Sequence, residues 1–134
     1  MSAWTKQNLG AVEDSAPKHG MGGLLEGRFA KDALGLQQTG ISLQRLRPGA
    51  RLPFGHTHSV QEEIYVVLSG SGEMKVGDEL VALEDHLDAV RVAPGAWRGV
   101  QAGADGLELL AFGAPTGGES DAEMDPGWWP SDAA

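Results

Sequence analysis

Residues 64–83 read IYVVLSGSGEMKVGDELVAL, and the reading of this run decides the fold. Ile64 to Leu68 is β-branched and aromatic, a composition that suits a pleated strand. It is apolar at every position, so both of its faces must be covered. Ser69-Gly70-Ser71-Gly72 then reads as a tight turn. Glu73 to Val76 and Glu79 to Leu83 flank Gly77-Asp78, a two-residue connection of the kind that closes a β-hairpin.

The same pattern continues on either side. Ile41 to Leu46 is a strand stopped by Arg47-Pro48-Gly49, and a short extended segment covers Gly55 to His58. Asp88 to Val92 is another strand, after which Pro94-Gly95 turns the chain. Trp97 to Ala102 and Leu107 to Phe112 close the series, with Ala104-Asp105-Gly106 as their turn. Seven or eight short strands at hairpin spacing predict an all-β fold, a sandwich or a closed jelly-roll β-barrel. A barrel of this size encloses a space that side chains or a small ligand can fill.

Three regions follow. Residues 1–40 form an irregular N-terminal arm against the barrel or a partner subunit. VEDSAPKHG and MGGLLEG read as loop there, and RFAKDALGLQQ holds at most a helical turn. Residues 41–112 are the barrel core. Residues 113–134 are an acidic tail, loop-like after Phe112. Two adjacent tryptophans, Trp128 and Trp129, are expected to pack back on the body or a partner rather than stand in water.

Composition narrows the function. The 134 residues amount to one domain with a core of useful size. The absence of cysteine excludes disulfides, thiolate metal sites and thiol nucleophiles, and it suits a reducing cytoplasm. Formal net charge is -9, and no Lys or Arg follows residue 100. No basic patch offers itself to phosphates, so a nucleic-acid partner is not expected. The start MSAWTKQNLG lacks the apolar region of a signal peptide, and no run is long enough to cross a bilayer. A cytoplasmic protein without a membrane partner is the expectation.

The chemistry concentrates just before the deciding run, in Phe54–Tyr65, FGHTHSVQEEIY. His56 and His58 stand two residues apart, which on a strand places both imidazoles on one face. A third ligand must come from a neighbouring strand. Glu63 supplies it if the chain turns over residues 59–62 and returns antiparallel. Glu62 competes, since adjacent strand residues face opposite ways and parity alone does not choose between them. Two imidazoles and a carboxylate make a facial triad with open positions, suited to Fe, Mn, Ni, Co or Zn, one divalent ion per chain. Such an ion binds a substrate directly or lowers the pKa of a bound water. Gln44, Gln61, Tyr65, Trp97 and Arg98 are candidate pocket-lining residues. His19 and His86 have no ligand spacing around them, and GSG lacks the Lys-Ser/Thr pair of a phosphate loop.

These residues carry a resemblance to the cupins. The first cupin motif runs from a Gly to His-x-His, then Glu, then Gly six residues later. Gly49, His56, His58, Glu63 and Gly70 match it, with six residues rather than five after Gly49. The offset to Gly70 favours Glu63 over Glu62. The second motif, Pro-x-Gly-x-x-His with a later Asn, is met only at Gly95. Ala93 takes the Pro position, Arg98 stands where the fourth ligand, a His, would be, and no Asn follows. The match spans residues 41 to 112. It implies a cupin jelly-roll, a small-molecule ligand and a homodimer, with the subgroup's activity unassigned.

Arg98 is the informative departure, because a guanidinium has no lone pair to offer a metal. Three arrangements compete. Arg98 pairs with Glu63 in a pocket without metal; or it holds a substrate anion beside a three-ligand ion; or it turns away and water takes its place. Arg98 and Tyr65 are the candidate catalytic side chains. The function expected is a metal-binding cupin domain acting on a small organic acid or related metabolite. The alternatives are a metal-free binding or sensing module and a structural homodimer.

Overall fold

The computed structural model describes residues 2–116 and 120–130. It contains eight strands among them: β1 (Leu25–Phe29), β2 (Gly40–Leu46), β3 (Gly55–His58), β4 (Glu62–Val76), β5 (Glu79–Leu83), β6 (Ala89–Val92), β7 (Arg98–Ala114) and β8 (Ala122–Asp125). One short helix, α1 (Lys31–Leu34), sits between β1 and β2. No helix in this set is long and apolar enough to cross a membrane.

All pairings are antiparallel, and two long strands organise them. The first half of β4 pairs with the second half of β7, from Glu62↔Ala114 to Val67↔Leu109. The second half of β4 pairs with the first half of β7, from Gly72↔Ala102 to Val76↔Arg98. β6 joins the first half of β4, and β2 and then β1 extend the second half of β7. β5 flanks the second half of β4, and β3 and β8 extend the first half of β7. Two half-sheets that share β4 and β7 thus curl over one interior, a jelly-roll.

The predicted turn at Ser69–Gly72 is not a turn. β4 runs through it, and the register shifts between Val67 and Ser69 and again between Gly70 and Gly72. The same correction applies to residues 104–106, which lie within β7. The physical reason is close contact between the strands at the bend. A Cβ on Gly70 would stand 2.1 Å from the Gly106 carbonyl oxygen, and both glycines have positive φ, +77° and +78°. Glycine there lets the strands change half-sheet without parting. The hairpin across Gly77-Asp78 is as expected, with Val76 opposite Glu79.

Two strands lie where the sequence reads as loop. Residues 25–27 of MGGLLEG begin β1, which pairs with β2 from Leu25↔Leu46 to Phe29↔Ser42. Ala122–Asp125 forms β8 along the free edge of β3. The core joins both half-sheets: Tyr65, Val67, Leu109 and Ala111 face Met74, Val100 and Ala102, with Leu83 and Val92 closing the side.

Candidate metal centre

β3 is four residues long, and pairing on both edges keeps it extended. β8 holds one edge from Gly55↔Asp125 to His58↔Ala122, and β7 holds the other at His56↔Arg98. Extended geometry puts His56 and His58 on the same side, with ring centroids 5.2 Å apart and planes at 88°. The chain turns over residues 59–61 and returns as β4. Glu63 then faces the histidines, while Glu62 points outward to Arg91 at 2.9 Å. The parity question is resolved in favour of Glu63.

Ligand atoms of His56, His58 and Glu63 lie within 4.8 Å of one another. Donors around one ion with bonds of about 2.1 Å stand roughly 3–3.5 Å apart, so the set is somewhat open. His56 Nε2 is 3.6 Å from Glu63 Oε1. His58 Nδ1 is 2.8 Å from Asp121 Oδ1.

Arg98 makes the pairing with Glu63 that the first of the three arrangements calls for. Its side chain has no exposed surface, and Nη2 donates to Glu63 Oε1 at 2.8 Å. Nε donates to the Tyr65 hydroxyl at 3.2 Å and Nη1 to the Ala96 carbonyl at 3.0 Å. The Tyr65 hydroxyl in turn donates to Glu63 Oε1. Burial by itself would raise the Glu63 carboxyl. Hydrogen bonds from His56, Tyr65 and Arg98, with the Arg98 charge, outweigh it and lower the value to about 2. Burial and the Glu63 charge push the Tyr65 phenol well above its ordinary range, so it acts as a donor. For Asp121 burial is likewise outweighed, by the bonds from His58, Gln61 and Val60, and its carboxyl is lowered.

The three groups open into a cavity of about 1100 Å³. Gln44, Gln61 and Tyr65 line it, together with Met21 and Leu24 of the N-terminal arm. Arg98 lies behind Glu63 and Tyr65 and is not among the lining residues. Nor is Trp97, which stacks on Trp128 at 6.0 Å. His86 bonds the Leu68 carbonyl at 2.9 Å in an exposed turn. His19, given no role by its spacing, does line the cavity, as does Lys31, whose ammonium is bonded to the Thr116 carbonyl. Sequence reasoning also missed Asp121. It sits 63 residues from His58, and no motif spacing could have joined them.

The family model of the cupin domain matches residues 42–112. No curated protein matches the chain. Among solved structures, a cupin protein from Bacteroides fragilis superposes with a TM-score of 0.70 at 26% identity, over 90% of this chain and 91% of that one. A sugar phosphate isomerase from a cupin superfamily, from Silicibacter pomeroyi, gives 0.67 at 22% identity over 84% and 76%. An uncharacterized conserved protein with a double-stranded β-helix domain, from Klebsiella pneumoniae, gives 0.66 at 19% over 78% and 86%. With its motif residues, its two curled half-sheets and this match over more than half its length, the chain belongs to the cupin family.

Proposed function

We propose that the protein holds one divalent transition-metal ion through His56, His58 and Glu63 and presents it to a small organic acid or related metabolite in the cavity. The observation that carries this reading is the convergence of the three donor groups within 4.8 Å beside the large cavity. The donor chemistry fits. Glu63 is fully ionised near neutrality, its carboxyl held at about 2. Arg98 and Tyr65 both donate to Oε1, the oxygen 3.6 Å from His56 Nε2, so they hold the carboxylate beside the histidines. A bound ion of this kind polarises a coordinated oxygen or acidifies a bound water.

The chain's own groups divide the remaining work. Arg98 fixes the direction of the carboxylate. Gln44 and Gln61 offer amides to a polar ligand group, and the apolar wall excludes water around the rest of it. The expected test result is about one equivalent of a first-row metal in gently purified protein. His56→Ala and His58→Ala would each remove it, and undiminished metal in both variants would overturn the reading.

A metal-free binding module is the second reading. The Arg98–Glu63 pair favours it, since it already neutralises the carboxylate at 2.8 Å. Ligand heats that survive chelation in calorimetry support the second reading; heats that vanish support the first. A homodimer is proposed with either, on the apolar outer face of β2, β7 and β4, where Ile41, Phe112 and Ile64 stand in one row.

A further inference from the structure

The C-terminal segment lies outside the matched cupin region, yet its Asp121 reaches the candidate centre. Asp121 immediately precedes β8, which is hydrogen-bonded along β3, the strand that carries both histidines. Its two carboxylate oxygens have separate tasks. Oδ2 accepts from the backbone N–H of Val60 at 2.8 Å and of Gln61 at 2.9 Å. Oδ1 faces His58 Nδ1 at 2.8 Å. Both backbone groups are obligatory donors, so they hold the carboxylate in this orientation. The oxygen that remains is an acceptor only, and the ring nitrogen opposite must carry the proton.

We propose that Asp121 is a positioning residue that fixes His58 as the Nδ1–H tautomer and so presents an unprotonated Nε2 to the cavity. The loop between the histidines and Glu63 is clamped by the same carboxylate, because Val60 and Gln61 belong to it. One side chain thereby sets the ring of one ligand and the path of the chain towards another. The consequence for metal affinity rests on the metal-binding function proposed above; the tautomer does not.

Asp121→Asn separates the two. The amide has one oxygen and one NH2. With its oxygen kept on the Val60 and Gln61 N–H groups, the NH2 faces Nδ1 and forces it to accept. The proton moves to Nε2, which can then no longer ligate, as when an orienting Asp is replaced by Asn beside a catalytic histidine. The experiment records imidazole nitrogen shifts of the ¹⁵N-labelled full chain, stripped of metal and at mildly alkaline pH. In the wild type, His58 should be protonated on Nδ1 alone. In Asp121→Asn it should be protonated on Nε2. Cobalt(II) titration of the same samples should show affinity weaker by about 10–100-fold in the variant.

A wild-type ring with a proton on Nε2, or an Asn variant that keeps the wild-type tautomer, overturns the assignment. The wild-type spectrum alone decides the matter if the variant does not fold. Inversion of the tautomer in a protein that binds no cobalt upholds Asp121's role and removes the metal function instead.

Discussion

Arg98 is a fully buried cation at a position where the family motif places a metal-ligating imidazole. Taking a guanidinium out of water is costly, and only excellent geometry offsets the cost. Here three bonds do so, to Glu63, to Tyr65 and to the Ala96 carbonyl. Because Arg98 belongs to one half-sheet and Glu63 and Tyr65 to the other, the cluster also ties the two together through the interior. Removing the cation would leave a largely desolvated carboxylate without its full countercharge, held only by Tyr65 and His56. Arg98→Met is therefore expected to lose about 3–5 kcal/mol in urea unfolding of the metal-free protein. A loss below about 1 kcal/mol would mean that the pair contributes little, as exposed pairs do. The departure from the motif is plain in the sequence, and it separates three arrangements without choosing one. The choice depends on Glu63, 35 residues away, and on burial that no local spacing encodes.

The N-terminal arm is joined to the barrel by its own acidic group. Asp14 Oδ1 accepts from the Ala16 N–H at 3.0 Å and the Gly27 N–H at 2.9 Å, which binds the arm to β1. Those two backbone bonds, the Gly27 one first, lower the Asp14 carboxyl from 3.8. A carboxyl depressed in the folded state adds stability above its unfolded value, and the contribution disappears as pH falls through the folded value. The amide shifts of Ala16 and Gly27 should therefore titrate together with a midpoint below 3.8, and the arm should loosen on the acid side. A midpoint at or above 3.8 would show that the bonds do not persist in solution. This anchor also explains what the sequence conceals. The first part of β4 announces itself by a β-branched run and the β4–β5 hairpin by a Gly-Asp turn, whereas β7 reads as two strands around a turn that is not there. β1 and β8, LEGRF and AEMD, have little β propensity and become strands because β2 and β3 offer them an unpaired edge. The partner of Trp128 is equally hidden. It packs where Gly55 and Gly99 have no Cβ, and a methyl on Gly55 would stand 2.2 Å from its ring. Two glycines that the sequence places in extended segments are also the floor under a tryptophan.

Across the whole molecule, the jelly-roll solves the burial of one sheet face and leaves a question about the other. Ile41 pairs with Phe112, and Phe112 with Ile64, so the three side chains share one row on the outer surface. Phe112 is 40% exposed and Ile64 37%, and Val66 and Leu110 form the next row, half-buried. Charged pairs border this area, Arg45 with Glu108 at 2.5 Å and Glu62 with Arg91 at 2.9 Å. This apolar strip with its charged rim is the face on which the proposed homodimer would close. Net charge opposes such a contact, since two copies at -9 each repel. The apolar term is short-ranged and insensitive to moderate salt, whereas the repulsion is screened beyond a Debye length of about 8 Å at physiological ionic strength. Association should therefore strengthen as salt is added, the reverse of an interface held by ion pairs. Light scattering at micromolar concentration is expected to give a dimer at physiological salt, with more monomer at low salt. Phe112→Lys should yield monomer at both, while its metal content stays that of the wild type, because the outer face and the centre lie on opposite sides of the sheet. A wild-type protein that stays monomeric at every salt concentration would leave this face without a second copy to cover it.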